Sequence, residues 1–239
     1  MKYFDLTFPT PQENLACDEA LLNWCEEGFE HEILRFWEPR EHFVVMGYSG
    51  KTHAEVNLER CKTSSVPILR RSSGGGTVLQ GPGCLNFSLI LRIHSHRSLK
   101  SLGETNEYIL QRHKRALESV VGTKIAIQGT SDLALGRLKF SGNAQRRKRY
   151  FLLFHGTFLL FFDISLIESL LHVPSKQPPY RENRSHKNFL TNLNIPSAVI
   201  KSTLQKFWEA TETIETVPYK KIEQLVKEQY GKVDWIFKF

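Results

Sequence analysis

The residues best suited to bind an anion form one glycine-rich segment, Arg70 to Val78, which reads RRSSGGGTV. Three consecutive glycines are entropically costly. That cost is expected where a backbone approaches a ligand closely and offers its N–H groups to anionic oxygens. Arg70 and Arg71 precede the glycines and can make bidentate, charge-assisted contacts with phosphate or carboxylate. A flexible turn is the alternative for an isolated glycine triplet, but the arginines and the flanking β-prone segments favour an anion-binding loop.

Two further segments contain residues suited to charge stabilisation. Lys139 lies in a strand-like context with Gly142 just beyond it, so its ammonium could stand between a reacting carboxylate and an α-phosphate. Taken alone, this motif is better explained by an exposed strand lysine. His155 and Gly156 interrupt a nearly continuous apolar strand, and a glycine there often marks close approach of a ligand or backbone. A core histidine bonded to a backbone carbonyl explains this pair equally well.

A run of positive charge over residues 145–149, QRRKR, has two interpretations. It could be a nucleic-acid patch, or a solvated basic loop that helps to dock an acidic carrier domain. The sequence contains no RNA-binding aromatic motif or zinc module beside it, which favours the solvated loop. Binding of nucleic acid is therefore not expected.

Several function classes are excluded by motif and composition. No Gly-Lys-Ser/Thr follows the glycines, and no helix is predicted to open after them, so neither a P-loop nor a dinucleotide fingerprint is present. The four cysteines form no Cys-x-x-Cys pair, which argues against a structural zinc site. No apolar run is long enough to cross a membrane, and the N-terminus does not have the pattern of a signal peptide. A cytoplasmic location without membrane association is expected.

The elements that must position these residues follow from hydrophobic periodicity and turn residues. Thr10, Pro11 and Glu13 have the spacing of a capping box with an N1 proline, so a helix is predicted from there to Gly28. Further helices are predicted over 104–121, 197–210 and 218–230. Strands are predicted over 32–37, 43–48, 66–71, 85–91, 125–127, 133–135, 138–141 and 154–162. Clustered strands favour an α+β architecture, with residues 172–194 as a long functional or partner-facing loop.

Taken together and in order, four motifs resemble lipoate–protein ligase A and its relatives. They are RRSSGGGTV at 70–78, GTSDL at 129–133, KFSGNA at 139–144 and HGT at 155–157. The N-terminal segments 14–22 and 34–37 are also similar to the start of that catalytic domain. The resemblance covers roughly residues 3–194. It implies the biotin/lipoate ligase catalytic fold, a mixed, largely antiparallel sheet flanked by helices. The catalytic domain is then expected over 1–195, and 196–239 is expected to be a helical extension rather than an independent accessory domain.

The resemblance also implies a reaction. Lipoate or octanoate and ATP, with Mg²⁺, give an acyl-adenylate. The acyl group then passes to a lysine on the lipoyl domain of a 2-oxoacid dehydrogenase or on a glycine-cleavage carrier protein. Lys139 is the expected catalytic residue. The expected nucleotide-binding residues are Arg71, Gly76, Thr77, Val78, Leu79 and Asp132, of which Asp132 could position adenine or a metal. The expected substrate-binding residues are Arg70, Ser73, Gly74, Gly75, Gly142, Asn143, Ala144, His155 and Gly156.

Two alternatives remain at this stage. An ATP-independent octanoyl or lipoyl transferase would carry the acyl group on a cysteine thiolate, for which Cys84 is the candidate because it lies in the glycine-rich loop. No cysteine occurs in 129–132 or anywhere after Cys84, which favours the ligase. The second alternative is a non-catalytic basic binding module. The sequence departs from many ligases at Gln80–Cys84, where His-Asp-x-Gly-Asn is usual, and Asn86 is a candidate replacement. No counterpart of the small C-terminal accessory domain of the longer ligases is recognised, so either a separate accessory subunit carries its function or the last two predicted helices suffice.

Overall fold

Strands form the centre of the molecule, whose computed structural model describes residues 1–174 and 176–239. Ser175, which falls in the predicted loop over 172–194, lies outside the described residues. The strands are β1 (Lys2–Asp5), β2 (Ile33–Trp37), β3 (Phe43–Met46), β4 (Ile68–Arg70), β5 (Val78–Gln80), β6 (Cys84–Arg92), β7 (Ile125–Gln128), β8 (Asp132–Leu135), β9 (Leu138–Arg147), β10 (Phe151–Leu159) and β11 (Glu212–Thr213).

Within the described residues, the strands form two sheets. The larger has eight strands in the order β11-β1-β2-β6-β10-β9-β8-β7, and the smaller has the order β4-β3-β5. In the larger sheet β1 is parallel to both of its neighbours, and the other pairs are antiparallel. In the smaller sheet β3 is parallel to β4 and antiparallel to β5. The predicted α+β class, with a mixed and largely antiparallel sheet, is confirmed.

Helices cover both faces of the larger sheet. They are α1 (Pro11–Glu26), α2 (Thr52–Glu55), α3 (Leu58–Thr63), α4 (Leu102–Val121), α5 (Ile164–Leu170), α6 (His186–Phe189), α7 (Ser197–Phe207), α8 (Tyr219–Leu225) and α9 (Val233–Ile236). Helix α1 begins as predicted, with the Thr10 hydroxyl accepting from the Glu13 N–H and the Glu13 carboxylate accepting from the Thr10 N–H. None of the described helices has the length and apolar composition needed to cross a bilayer.

Side-chain alternation along β6 and β10 separates the two main cores. Phe87, Phe154 and Phe158 pack on one face, together with residues of α4 and α7. Ile90 and Leu153 lie on the other face with α1 and residues of α8. Residues after 195 therefore belong to the same two cores, and β11 extends the sheet by pairing with β1.

The basic run differs from its prediction as a solvated loop. Residues 145–147 continue strand β9, and only residues 148–150 form the turn to β10. Arg146 Nη1 lies 2.8 Å from Glu19 Oε1, and Arg147 Nη2 donates to the Leu99 carbonyl at 2.6 Å. These two arginines are bound by the protein itself, which leaves Arg149 as the exposed charge of the run, with Lys148 half-buried.

Candidate active site

A cavity of about 1010 Å³ lies where the glycine-rich segment, the ends of β8 to β10 and the segment after α5 meet. Residues from all four motifs line it, and residues 176–179 and 186 of the following segment line it as well. The sheet provides one wall, because Asn86 and Thr157 are register partners on β6 and β10 and their side chains share a face. The cavity brings together residues that are more than 80 positions apart in the chain.

The glycine-rich loop is held by its own arginine. Arg71 is buried, and its guanidinium donates to the carbonyls of Gly74 and Gly76 at 2.6 and 2.9 Å. Burial lowers the pKa of Arg71 to about 10. Gly75 has a φ of +92°, and a Cβ built on Gly47 would lie 1.9 Å from the Gly75 carbonyl oxygen. The Gly47 and Gly75 backbones therefore touch. Because the Gly74 and Gly76 carbonyls accept from Arg71, the N–H groups of the loop are left to bind a ligand.

Arg70 does not reach the cavity. Its buried guanidinium donates to the carbonyls of Gly47, Tyr48 and Gly50 at 2.9–3.0 Å. On its other side it donates to the carbonyls of Trp235 and Ile236 in helix α9. The prediction that both arginines face one anion does not fit this arrangement, because consecutive residues of a strand point to opposite sides.

Lys139 stands at the centre of the site. Its Nζ lies 2.8 Å from Asp132 Oδ1, and the other Asp132 oxygen accepts from the Tyr180 hydroxyl at 2.8 Å. A Cβ on Gly142 would come within 2.8 Å of Lys139 Nζ. Because Gly142 has no side chain, the Lys139 ammonium can occupy the space above it. Lys139 and the triple-glycine loop line the same cavity.

A chain of polar contacts connects His155 to a buried ion pair. Ser73 Oγ lies 2.6 Å from His155 Nε2, and His155 Nδ1 lies 3.6 Å from Asp18 Oδ2. Asp18 pairs in turn with Arg35, with 2.5 Å between Asp18 Oδ1 and Arg35 Nη1. Burial acts to raise the pKa of Asp18, but Arg35 and His155 outweigh it, and the pKa is lowered. This chain ties the glycine-rich loop to strand β10 and helix α1.

Three polar side chains close a hydrogen-bonded ring on the sheet wall of the cavity. Gln80 Nε2 donates to Thr157 Oγ1 at 2.7 Å, Thr157 Oγ1 donates to Asn86 Oδ1 at 2.6 Å, and Asn86 Nδ2 donates to Gln80 Oε1 at 3.0 Å. Each amide uses one of its two N–H bonds in the ring and keeps one spare donor. Asn86, the candidate to substitute for the amide missing at Cys84, therefore bonds to Gln80, another residue that departs from the usual motif.

The family assignment follows from the sequence as a whole. Residues 10–213 match the family model of the lipoyl protein ligase A/B catalytic domain. The chain belongs to this family. Two kinds of curated relative accompany the match. A probable lipoate-protein ligase A from Mycoplasma pneumoniae is 30% identical over 251 residues, covering 99% of this chain and 72% of the relative. An octanoyltransferase LipM from Halalkalibacterium halodurans is 25% identical, covering 99% of this chain and 98% of the relative.

Solved structures share the fold of this family member at lower sequence identity. A bipartite lipoate protein ligase from Thermoplasma acidophilum, studied with its E2 lipoyl domain, superposes with a TM-score of 0.84 at 20% identity, covering 99% of this chain and 95% of that one. A lipoate-protein ligase A bound with ATP gives a TM-score of 0.81 at 21% identity, covering 99% of each chain. These similarities confirm the predicted fold class.

Most residues predicted for the site line this one cavity of about 1010 Å³. They are Arg71, Gly75, Gly76, Thr77, Val78, Leu79, Asp132, Lys139, Gly142, Asn143, Ala144, His155 and Gly156. Arg70, Ser73 and Gly74 are not among the lining residues. The Ser73 hydroxyl instead contacts His155, and the Gly74 carbonyl accepts from Arg71.

Sequence reasoning did not identify several residues of the site. Asp18, Glu55 and Thr157 line the cavity, and Tyr180 reaches Asp132 from outside the four motifs. Asp18 could have been recognised from the sequence, because a carboxylate between Cys17 and Ala20 interrupts the apolar residues of a predicted helix. Glu55 accepts from the Thr77 hydroxyl at 2.5 Å, and no sequence pattern connects those two residues.

The cysteines of this family member are all buried. Cys84 is 1% exposed, packs in the core near α5 and does not line the cavity. Burial raises the pKa of the Cys17, Cys25 and Cys84 thiols to about 12 and also raises that of Cys61. A thiolate nucleophile requires a lowered pKa and access to substrate, and Cys84 has neither.

Proposed function

We propose that this chain is a lipoate–protein ligase, which activates lipoate or octanoate with ATP and transfers the acyl group to a lysine of a lipoyl carrier domain. One observation carries the proposal: the Lys139 ammonium and the triple-glycine loop line the same cavity. A cation opposite a cradle of backbone N–H groups is suited to a reaction in which negative charge develops between an acyl group and a phosphate.

The residues present fit a nucleoside triphosphate. Gly75 adopts a left-handed φ that favours glycine, and the glycines leave the loop backbone uncovered. Loop N–H groups can therefore reach phosphate oxygens directly. Mg²⁺ usually binds through one or two carboxylates together with substrate phosphates, and the Glu55 carboxylate lines the cavity. Mg²⁺ would neutralise phosphate charge there.

The proposed reaction has two steps. The acid carboxylate attacks the α-phosphorus, the bond to the bridging oxygen breaks, and pyrophosphate leaves. The amine of the carrier lysine then attacks the acyl carbonyl, loses a proton, and AMP leaves with the electron pair of the broken C–O bond. Lys139 stabilises negative charge at the junction in both steps, because its ammonium stands beside Gly142 where no side chain separates it from the cavity.

The cavity and the charge of the chain agree with the proposed substrates. Leu15, Trp37 and Val45 provide apolar walls next to the nucleotide loop, and such walls favour an alkyl chain. The net charge of +7 favours an acidic partner. We propose the lipoyl domain of a 2-oxoacid dehydrogenase or a glycine-cleavage carrier protein as that partner, with room for a separate accessory subunit.

Acid-dependent exchange of pyrophosphate into ATP tests this function. Wild-type protein is assayed with lipoate, octanoate and biotin, with and without a lipoyl domain. We expect exchange with lipoate or octanoate, and its loss in Lys139→Ala. Lys124→Ala, which removes an exposed lysine on the loop before β7, is the matched control and keeps full activity. Absence of exchange by the wild type with a lipoyl domain and an accessory subunit present would rule the ligase out.

The transferase alternative rests on the LipM relatives, which match nearly their whole length. It requires a thioester on a cysteine, and the buried Cys84 argues against it. We expect Cys84→Ala to retain full exchange activity, and intact-mass measurement with an octanoyl carrier protein to show no acyl adduct. A covalent octanoyl group that disappears in Cys84→Ala would favour the transferase.

A further inference from the structure

Tyr180 is connected to the central lysine through one carboxylate. It lies in a short 3₁₀ turn, Pro179–Arg181, outside the motifs that predicted the site. Its hydroxyl donates to Asp132 Oδ2 at 2.8 Å, while Asp132 Oδ1 lies 2.8 Å from Lys139 Nζ. Both oxygens of Asp132 are therefore engaged, one by the lysine and one by the tyrosine.

The segment that carries Tyr180 is fixed to the site at two further places. Gly129 has a φ of +56°, and a Cβ on it would lie 3.0 Å from Pro178 Cβ, so the turn before β8 packs directly on the proline. Further along, Leu190 forms a parallel β-bridge with Lys139, and the Thr191 N–H donates to the Lys139 carbonyl at 2.9 Å. The segment thus holds the lysine backbone at one end and its carboxylate partner at the other.

We propose that Tyr180 is a positioning residue that sets the placement of the Lys139 ammonium through Asp132. The proposal rests on the proposed function. A donor on Oδ2 prevents the carboxylate from rotating, so Oδ1 stays directed at the lysine.

The energy of this contact predicts a measurable effect. A hydrogen bond to a charged group contributes on the order of tenfold in a rate or equilibrium constant. In the lipoate-dependent exchange assay we therefore expect Tyr180→Phe to lower kcat about tenfold. The KM values for lipoate and ATP should stay within about twofold of wild type, and the melting temperature should be retained. Tyr150→Phe, at an exposed tyrosine of the β9–β10 turn, is the matched control.

A double-mutant cycle tests whether Tyr180 acts through Asp132. In the Asp132→Asn background, Tyr180→Phe should change kcat less than about twofold, because the carboxylate that relays the effect is gone. A second readout needs no turnover: acetic anhydride labelling of Lys139 in the substrate-free full chain, measured by peptide mass spectrometry. We expect several-fold faster labelling in Tyr180→Phe and no further increase when that change is added to Asp132→Asn.

Failure of the inference can be separated from failure of the proposed function. A wild-type enzyme without exchange activity contradicts the function, and Lys139 labelling then decides on Tyr180 alone. Additive losses in the cycle, a raised KM with unchanged kcat, or labelling of Tyr180→Phe at the wild-type rate would each overturn the positioning role.

Discussion

Two carboxylate–cation pairs line or adjoin the same cavity, and they differ in burial. The Arg35 and Asp18 side chains are 0% and 5% exposed, whereas those of Lys139 and Asp132 are 25% and 11% exposed. Arg35 makes further hydrogen bonds to the carbonyl and side chain of Asn14, so both of its terminal nitrogens donate inside the protein. Lys139 pairs with the Asp132 carboxylate, lies over Gly142 and lines the cavity. We expect the enclosed pair to maintain the fold and the accessible pair to carry the chemistry.

The largest expected effect separates these two roles directly. Arg35→Met leaves the Asp18 charge buried without its cation, and breaking a buried pair in this way costs about 3–5 kcal/mol of unfolding free energy. Lys139→Met breaks an accessible pair, so the loss should stay below about 1 kcal/mol, while exchange activity falls by about 10²–10³. Urea denaturation of both variants measures the first quantity. Equal destabilisation by the two changes would contradict the comparison.

A pH titration of stability sharpens the comparison once one histidine is removed. His113 is buried against Phe87 and Trp208, and burial lowers its pKa from 6.5 to about 3. Above pH 6.5 the His113 side chain is neutral in both the folded and the unfolded state. As the pH falls toward 3 the unfolded state alone takes up the proton, so stability is lost at about 1.4 kcal/mol per pH unit.

In His113→Phe this slope should become shallower. The loss that remains should come from His186, whose pKa burial lowers to about 4, and from carboxyls with a lowered pKa such as Asp18. Stability measured in urea at several pH values between 7 and 4 checks the expectation. The exposed His53→Phe is the control and should keep the wild-type slope. A slope in His113→Phe equal to that of the wild type would assign the proton uptake to other groups.

The smallest expected effect concerns the space beside the accessible pair. A Cβ on Gly142 would meet the far end of the Lys139 side chain at 2.8 Å, so Gly142→Ala displaces a flexible group rather than the backbone. We expect little change in stability and a fall in exchange rate of about tenfold, because misplacing a charge weakens its stabilisation of the reacting atoms. Gly103→Ala, where a Cβ meets nothing within 4 Å, is the control. An unchanged rate would show that Lys139 has freedom to adjust.

The sequence allowed the class of fold and most cavity residues to be predicted, because those features follow from local rules. Helix α1 begins at its capping box, and α4 ends at Gly122, which has a φ of +71°. The three consecutive glycines indicate a ligand-binding loop, because their conformational-entropy cost is otherwise unexplained. The short helices α2 and α3, of 4 and 6 residues, were not predicted, because they carry too few turns to show a periodicity.

The errors arose where a residue's role depends on distant parts of the chain. Arg70 and Arg71 are adjacent, yet the pleat of the strand directs Arg70 to the carbonyls of helix α9. Arg146 and Arg147 continue a strand because Glu19 and the Leu99 carbonyl receive their guanidinium groups. Tyr180 reaches Asp132 across 48 positions of the chain, and no local pattern could indicate that contact.

The contact between the Gly47 and Gly75 backbones limits how this family member can diverge. Any side chain at Gly47 would overlap the Gly75 carbonyl oxygen, and Gly75 itself holds a conformation that other residues rarely adopt. A mutation at either position cannot be compensated by a smaller partner, since no smaller residue exists. Substitution of Gly47 or Gly75 is therefore expected to displace the triple-glycine loop, whereas Gln80 and Cys84, where this chain differs from many ligases, lie outside that backbone contact.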